Sequence, residues 1–534
     1  MLPVLLTLLV LPGQPPVDSV PLYTDLGTHH MAITTASPTA QAYFDQGLRL
    51  TYGFNHGEAI RAFEEAARHD PRCAMCWWGV ALASGPHVNG GMDSAASATA
   101  WRALQQAKAT AKHATPGERA FITALAARYT ERPPAHRAPL DSAYARAMAS
   151  LVTQYPADLD AATLYAEALM DLAPWNYWNA DGSPRPGTAI AVAQLERVIA
   201  KAPEHPGACH YYIHAVEAVE PVKAVPCAER LAALMPGAGH MVHMPGHIYI
   251  RVGRYNDAIH ANEHAVHADE TYIEQARPQG IYPVGYYPHN YHFLAFAATM
   301  AGRSALAIES ARKLRETTPV EVARQVPPVE PYVPYIFLTL VSFGRWEEIL
   351  RESVPPSELT YSFGMAQYAR GIAFAATGRE AAARRSLDSL RVAATTSNAA
   401  YTAAGWISPR GVLDIATLAL QGEIALRTGR HDDAIAFFTE AATREDALQY
   451  IEPPDWYYPI RQSLGRALLS AGRAADAERV YREDLKRFPD NGWSLFGLEQ
   501  ALRAQGKTAE ADRVAGQFKA AWAESDVTLV ASRF

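Results

Sequence analysis

Histidine spacing carries the most chemistry in this chain of 534 residues. Nineteen histidines are present, and those between 205 and 292 fall into i,i+3 and i,i+4 pairs. On one helix, His240, His243 and His247 would occupy about 60° of a single face at roughly 100° per residue. His289 and His292 repeat the i,i+3 pair, and Cys209-His-Tyr-Tyr-Ile-His214-Ala-Val-Glu217 offers an i,i+4 pair with a carboxylate on the same stripe. Imidazole favours Zn, Cu, Ni and Fe, and thioether or thiol groups nearby, here Met241, Met244 and Cys209, tilt the preference toward copper ahead of zinc. The expected ligand pool for a transition metal is His210, His214, His240, His243, His247, His289 and His292. That is more than one ion uses, so either two centres form or some members orient the true ligands. Pro245 inside this run removes a helical hydrogen bond and predicts a break between His243 and His247.

Other motifs carry less. His260-Ala-Asn-Glu263-His264 matches the inverted zinc-protease pattern, but His267 continues the same stripe, as a solvated helix face would. Cys73 and Cys76 are spaced to form a disulfide or redox pair; Trp77 stands where haem attachment needs histidine, and no second Cys-x-x-Cys completes a zinc site. There is no nucleophile elbow, phosphate-binding loop or dinucleotide fingerprint, so neither nucleotide nor haem is an expected cofactor.

The elements that position these residues read as helices. Hydrophobic residues make up 49% of the chain and charged ones 19%, a balance that suits packed helices better than disorder. The net charge of -7 gives no electrostatic footprint for nucleic acid. Met1-Leu-Pro-Val-Leu-Leu-Thr-Leu-Leu-Val-Leu-Pro12 is too short to span a bilayer and reads as a signal peptide or N-terminal anchor, predicting export to the periplasm or beyond and no membrane span in the mature chain.

Self-similarity sets the architecture. A Gly-Arg or Gly-Lys pair recurs at Gly253, Gly302, Gly344, Gly378, Gly429, Gly472 and Gly506; two of the gaps are 34 residues, and the others, 49, 42, 51 and 43, equal that period plus a loop. Five residues beyond most of them stands an alanine: Ala258, Ala307, Ala383, Ala434, Ala477 and Ala511. Glycine suits the cap that ends a first helix, and alanine suits the close contact of the second helix folding back. With Leu464-Gly-Arg-Ala-Leu-Leu-Ser-Ala-Gly-Arg-Ala-Ala-Asp-Ala477 running on to Tyr481 and Pro489, the chain resembles the tetratricopeptide family. Cys-Ala-Met-Cys-Trp-Trp-Gly at 73–79, His-Met-Pro-Gly-His at 243–247 and Glu-Pro-Pro-Asp-Trp-Tyr at 452–457 are similar to bacterial secreted, His-rich members of unassigned function.

The resemblance implies an all-α, right-handed solenoid whose concave groove takes a peptide, protein or small molecule. It also implies that the paired histidines face that groove. Three aromatic-rich insertions, Thr271–Pro288, Pro174–Gly187 and Tyr450–Pro459, are read as loops able to roof it. Groove or substrate candidates are Glu217, Tyr211, Tyr286, Tyr287, Asn290 and Trp456. The expected organisation is a leader over 1–20, N-terminal repeats over 21–200, His-rich central repeats over 201–310 and C-terminal repeats over 311–534. Two functions compete: a metal centre, with copper- or zinc-dependent enzymology, and a non-catalytic peptide-binding scaffold. Imidazole nitrogens converging on one point favour the first, and an even spread along the groove favours the second.

Overall fold

The computed structural model describes residues 20–278, 280–397 and 408–534. The leader expected over 1–20 lies outside the described residues except for its last position. Among the described residues the chain is all-α, with 26 α-helices joined by short turns; extended pairing is confined to the isolated bridges His87↔Gly90 and Trp178↔Pro184. Helices pack in chain order as antiparallel pairs, the second of each pair also meeting the first of the next, which is the tetratricopeptide arrangement. No described helix is long and apolar enough to cross a membrane.

The repeat signature has a direct physical counterpart. All seven signature glycines lie at positive φ, for example 72° at Gly302 and 76° at Gly429, the left-handed cap that costs an L-residue with a side chain about 1–2 kcal/mol. The six following alanines are fully buried. A second small-residue device locks successive pairs. Phe63, on the helix His56–His69, inserts between Gly47 and Gly79, and Tyr481 between Gly465 and Gly497; a Cβ at any of the four glycines would fall 2.2–2.7 Å from the ring. Close packing of this kind leaves no room to add even one carbon.

Internal contacts divide the chain into two compact units, one of residues 1–248 with 264–287, the other of 249–263 with 288–534. Each has its own aromatic core. In the first, Trp78, Phe44, Phe63 and Tyr144 are fully buried; in the second, Trp456, Trp493, Tyr368 and Tyr481 are. The boundary runs through the central segment 201–310.

Two of the three insertions are not simple loops. In 271–288 the helix Tyr255–Ala276 continues to Ala276, and Tyr282–Tyr286 then forms a π-helical turn that leads into the helix Tyr287–Met300. In the Tyr450–Pro459 insertion Trp456 is buried among Tyr368, Tyr457 and Tyr458 rather than displayed over a groove. Pro174–Gly187 is irregular, with Trp175 at φ 59°.

Three glycines of the second unit separate the forces at work, and denaturant titration of three alanine variants reads them. Gly516→Ala, in an exposed helix with open space around it, stabilises by about 0.5–1 kcal/mol. Gly429→Ala, open but left-handed, destabilises by about 1–2 kcal/mol. Gly465→Ala, with Tyr481 at 2.3 Å, costs about 1–3 kcal/mol or more through overpacking.

Candidate functional site

Five of the seven predicted imidazoles meet in the first unit. His210 and His214 come from the helix Pro206–Val216, which starts at Pro206 with the His205 ring accepting from the Ala208 amide at 3.2 Å as its N-cap. His240 and His243 come from the five-residue helix Gly239–His243. Pro245 then begins a separate helix, Pro245–Arg251, which carries His247. The break expected at Pro245 is present, and it does not scatter the ligands: His243 Nε2 and His247 Nε2 stand 2.9 Å apart. His210 Nε2 and His240 Nε2 are 3.1 Å apart. Two ligands of one tetrahedral ion, each about 2.0–2.1 Å from it, would be roughly 3.3 Å apart.

The ring nitrogens that face away are held by acceptors. His210 Nδ1 donates to the Tyr52 carbonyl at 2.6 Å, and the Glu217 carboxylate accepts from His247 Nδ1 at 2.7 Å and from His214 Nδ1 at 3.2 Å. Carbonyls and ionised carboxylates only accept, so each Nδ1 carries a proton, and in the neutral form of each ring Nε2 is the bare nitrogen and faces inward. His214 Nε2 is buried and has no hydrogen-bond partner among the described residues, the signature of a lone pair awaiting a cation. One nitrogen from each of His210, His214 and His240 lie within 4.8 Å of one another, as do the ligand atoms of His214, Glu217 and His247.

The electrostatics agree. All five imidazoles and Glu217 are at most 4% exposed. Burial, reinforced by the neighbouring imidazoles, holds His210 and His240 well below the ordinary histidine range. Burial also lowers His214, against the pull of Glu217. Burial alone would raise the Glu217 carboxyl, but the charge of His247 and the hydrogen bonds from His214 and His247 outweigh it and hold the group down at about 2. A carboxylate buried this deeply stays ionised only with donated hydrogen bonds and positive charge beside it, and a bound cation is one source of that charge.

Aromatic rings wall the cluster. Phe54 lies 4.4 Å from His210 and 5.4 Å from His240, Trp175 meets His214 edge-on at 5.1 Å, and Tyr286 meets His240 at 5.0 Å. Neither Phe54 nor Trp175 was singled out as a site residue from the sequence, although the repeat register held a signal for Phe54. It stands five residues before the buried Ala59, in the signature glycine's place, and adopts the glycine conformation at φ 57°. An aromatic residue there is strained, and strain of this kind gathers at functional sites. Beyond Phe54, half-buried His56 and His87 stack at 4.1 Å. Burial pushes His56 down to about 4.

The other predicted residues have the following surroundings. Cys209 is joined to Cys227 in a disulfide, and Cys73 to Cys76 in another. The expected thiol contribution of Cys209 to metal choice is therefore withdrawn, because a disulfide sulfur is not a thiolate ligand. Tyr211 packs behind His210 with ring centroids 5.5 Å apart, and Tyr287 donates to Glu270 at 3.0 Å. His289, His292, Asn290 and Trp456 belong to the second unit, where the His292 ring meets Tyr335 at 4.4 Å. In the His-x-x-Glu-His motif, His260 and Glu263 face solvent and bond to each other at 3.3 Å.

A further cluster, His29, Asp160 and His205, shows the opposite polarity. His29 Nε2 at 2.9 Å, His205 Nε2 at 3.3 Å and the Tyr52 hydroxyl at 2.6 Å all reach the same Asp160 oxygen. Because His205 Nδ1 is used as an acceptor at the helix cap, its Nε2 carries the proton, and the arrangement is a hydrogen-bond hub rather than a set of open ligands.

No model of a known protein family matches the sequence, and no curated protein matches it. Among solved structures, the human IFIT1 dimer with m7Gppp-AAAA aligns over 88% of this chain and 94% of that one, at 12% identity and a TM-score of 0.34. Yeast Tom70 aligns over 91% and 93%, at 11% identity and a TM-score of 0.30. The tetratricopeptide-like character of the chain rests on its own repeat geometry.

Acid should destabilise the metal-free protein. The unfolded chain takes up protons on histidine as pH falls below about 6.5 while buried His210, His240 and His56 resist, so stability present at neutrality declines by about 1.4 kcal/mol per pH unit for each resisting group. Glu217, held at about 2 against an unfolded value of 4.5, adds a second loss in stronger acid. A melting temperature that falls between roughly pH 7.5 and pH 5 in the presence of chelator is the expected result, and a flat profile would contradict it.

Proposed function

We propose that this chain is an exported tetratricopeptide-like scaffold whose first unit binds a transition-metal ion through buried imidazoles. The observation that carries the reading is the outward fixing of Nδ1 at His210, His214 and His247 by Tyr52 and Glu217, which leaves Nε2 atoms converging where His214 Nε2 has no hydrogen-bond partner among the described residues. A peptide groove needs donors spread along its length; here they meet. An all-imidazole set, without the Cys209 thiolate, suits copper(II) and zinc alike, and the five inward nitrogens are enough for one ion with two orienting neighbours or for a pair of ions. If catalysis occurs, the metal supplies a Lewis-acidic or redox centre, and Trp175, Phe54 and Tyr286 keep bulk water from it. Export is supported by the cysteines: all four are paired, the state expected in an oxidising compartment.

Elemental analysis tests the reading on protein purified without an affinity tag from cells supplied with Cu, Zn, Fe and Mn together. Near-stoichiometric metal is expected in the wild type, and Glu217→Gln, which keeps the shape but removes the acceptor charge, should weaken affinity by about 10–100-fold. A wild type that carries no metal and fails to take up Cu or Zn on titration would overturn it.

A further inference from the structure

The first unit contains a cavity of about 560 Å³ bounded by the N-terminal segment, the helix Val225–Leu234 and the His264–Gln275 stretch of the helix Tyr255–Ala276. Three tyrosines line it, Tyr23, Tyr272 and Tyr282. They do not stand apart. Ring centroids run from Tyr23 to Tyr272 at 6.1 Å, to Tyr282 at 5.2 Å and to Tyr286 at 5.5 Å, and Tyr286 meets the His240 ring at 5.0 Å. Tyr272, Tyr282 and Tyr286 are buried, and Tyr23 is half-exposed at the cavity wall. The series therefore leads without a gap from the edge of the imidazole cluster to a surface that a small molecule can reach.

The hydroxyl partners along the series differ in kind. Tyr282 donates to the buried Asp269 carboxylate at 2.6 Å, and Tyr23 donates to Glu58 at 3.0 Å. Tyr272 donates to the Asn55 amide oxygen at 3.4 Å, and Tyr286 meets the amide of Asn89. A phenol loses an electron far more readily when a base already holds its hydrogen bond and can take the proton. Tyr282 and Tyr23 are thus resting places for an oxidised phenol, with Tyr286 and Tyr272 as stepping stones between. Asp269 is itself held close: a Cβ on Gly239, beside His240, would lie 1.9 Å from its carboxylate oxygen. Packing alone asks for apolar rings here and gives no reason for buried hydroxyls paired with carboxylates.

We infer that Tyr286, Tyr282, Tyr272 and Tyr23 form a conduit for single electrons between the histidine centre and the cavity, serving oxidation of phenolic one-electron donors by a peroxide. The inference rests on the metal-binding reading above. The balance is simple. One hydrogen peroxide, reduced at the loaded centre to two waters by cleavage of its O–O bond, takes up two electrons and two protons. An electron that leaves Tyr282 or Tyr23 is accompanied by the phenol proton, which passes to Asp269 or Glu58 and returns when the tyrosyl is refilled, while Tyr286 and Tyr272 only relay the electron. Each tyrosyl so formed is refilled from the next tyrosine outward, and Tyr23 is refilled by a phenolic donor in the cavity. Two donor phenols lose one electron and one proton each and become phenoxyl radicals.

The test uses the full chain loaded with copper(II), exposed to hydrogen peroxide with a nitroso spin trap and no phenolic donor, then mapped by peptide mass spectrometry, with copper content measured on the same sample. Trap adducts are expected on Tyr23 and not on Tyr165, a half-exposed tyrosine off the path. Tyr282→Phe, or Tyr272→Phe should the first variant fold poorly, should lose the Tyr23 adduct while keeping both its copper and an adduct on Tyr286. Copper bound with no adduct, a Tyr23 adduct that survives both variants, or equal labelling of Tyr165 would overturn the conduit alone. A chain that binds no copper, as metal content reports independently, would remove the conduit together with the reading it rests on.

Discussion

Glu217 sits between two imidazoles in a dry interior, fully buried, with one oxygen on His214 and the other on His247. Much of the first unit's chemistry follows from that placement. An ionised carboxylate at zero exposure is stable only where hydrogen bonds and positive charge surround it, and once ionised it can only accept. Both partners must turn Nδ1–H outward and Nε2 inward. The Tyr52 carbonyl imposes the same polarity on His210 from the opposite side. The cluster is thus oriented before any ion arrives, which is how outer hydrogen bonds set the direction and basicity of metal ligands.

The scaffold obeys its repeat closely where it carries no chemistry and departs from it around the cluster. In the second unit, glycine caps and buried alanines recur in register and an aromatic ring locks between paired glycines. Around the cluster the cap glycine is replaced by strained Phe54, a proline splits one helix between His243 and His247, Trp175 is left-handed, and a π-turn brings Tyr282 and Tyr286 inward. Each departure moves a ring or an imidazole toward the same space. Breaking local rules in one neighbourhood while keeping them elsewhere is expected where function, rather than folding, has set the residues.

Legibility in the sequence divides along the same line. The helix pairs could be read because glycine and alanine at a 34-residue interval answer to backbone geometry alone. The histidine stripe could be read because a helix converts spacing into a shared face. What escaped was everything set by contacts distant in sequence. Tyr52 and Phe54 reach the cluster from the end of the helix Pro38–Tyr52 and the turn after it, far before His210 in sequence, and the Cys209–Cys227 pairing, which removes a thiol from the candidate ligands, depends on where two helices cross. Spacing likewise could not distinguish His205, whose Nδ1 caps a helix, from His210, whose Nδ1 is bound by a carbonyl.

That contrast gives the most direct test of the account, since its central claim concerns which nitrogen of each ring bears the proton. Two-bond nitrogen–proton correlation NMR on metal-free protein labelled with nitrogen-15 at histidine assigns the tautomers one by one. The account predicts protonated Nδ1 at His210, His214 and His247, with bare Nε2 at His210 and His214, and the reverse at His205. Protonated Nε2 at His210 and His214 would contradict it, because the inward nitrogens would then be donors with nothing to offer a metal ion.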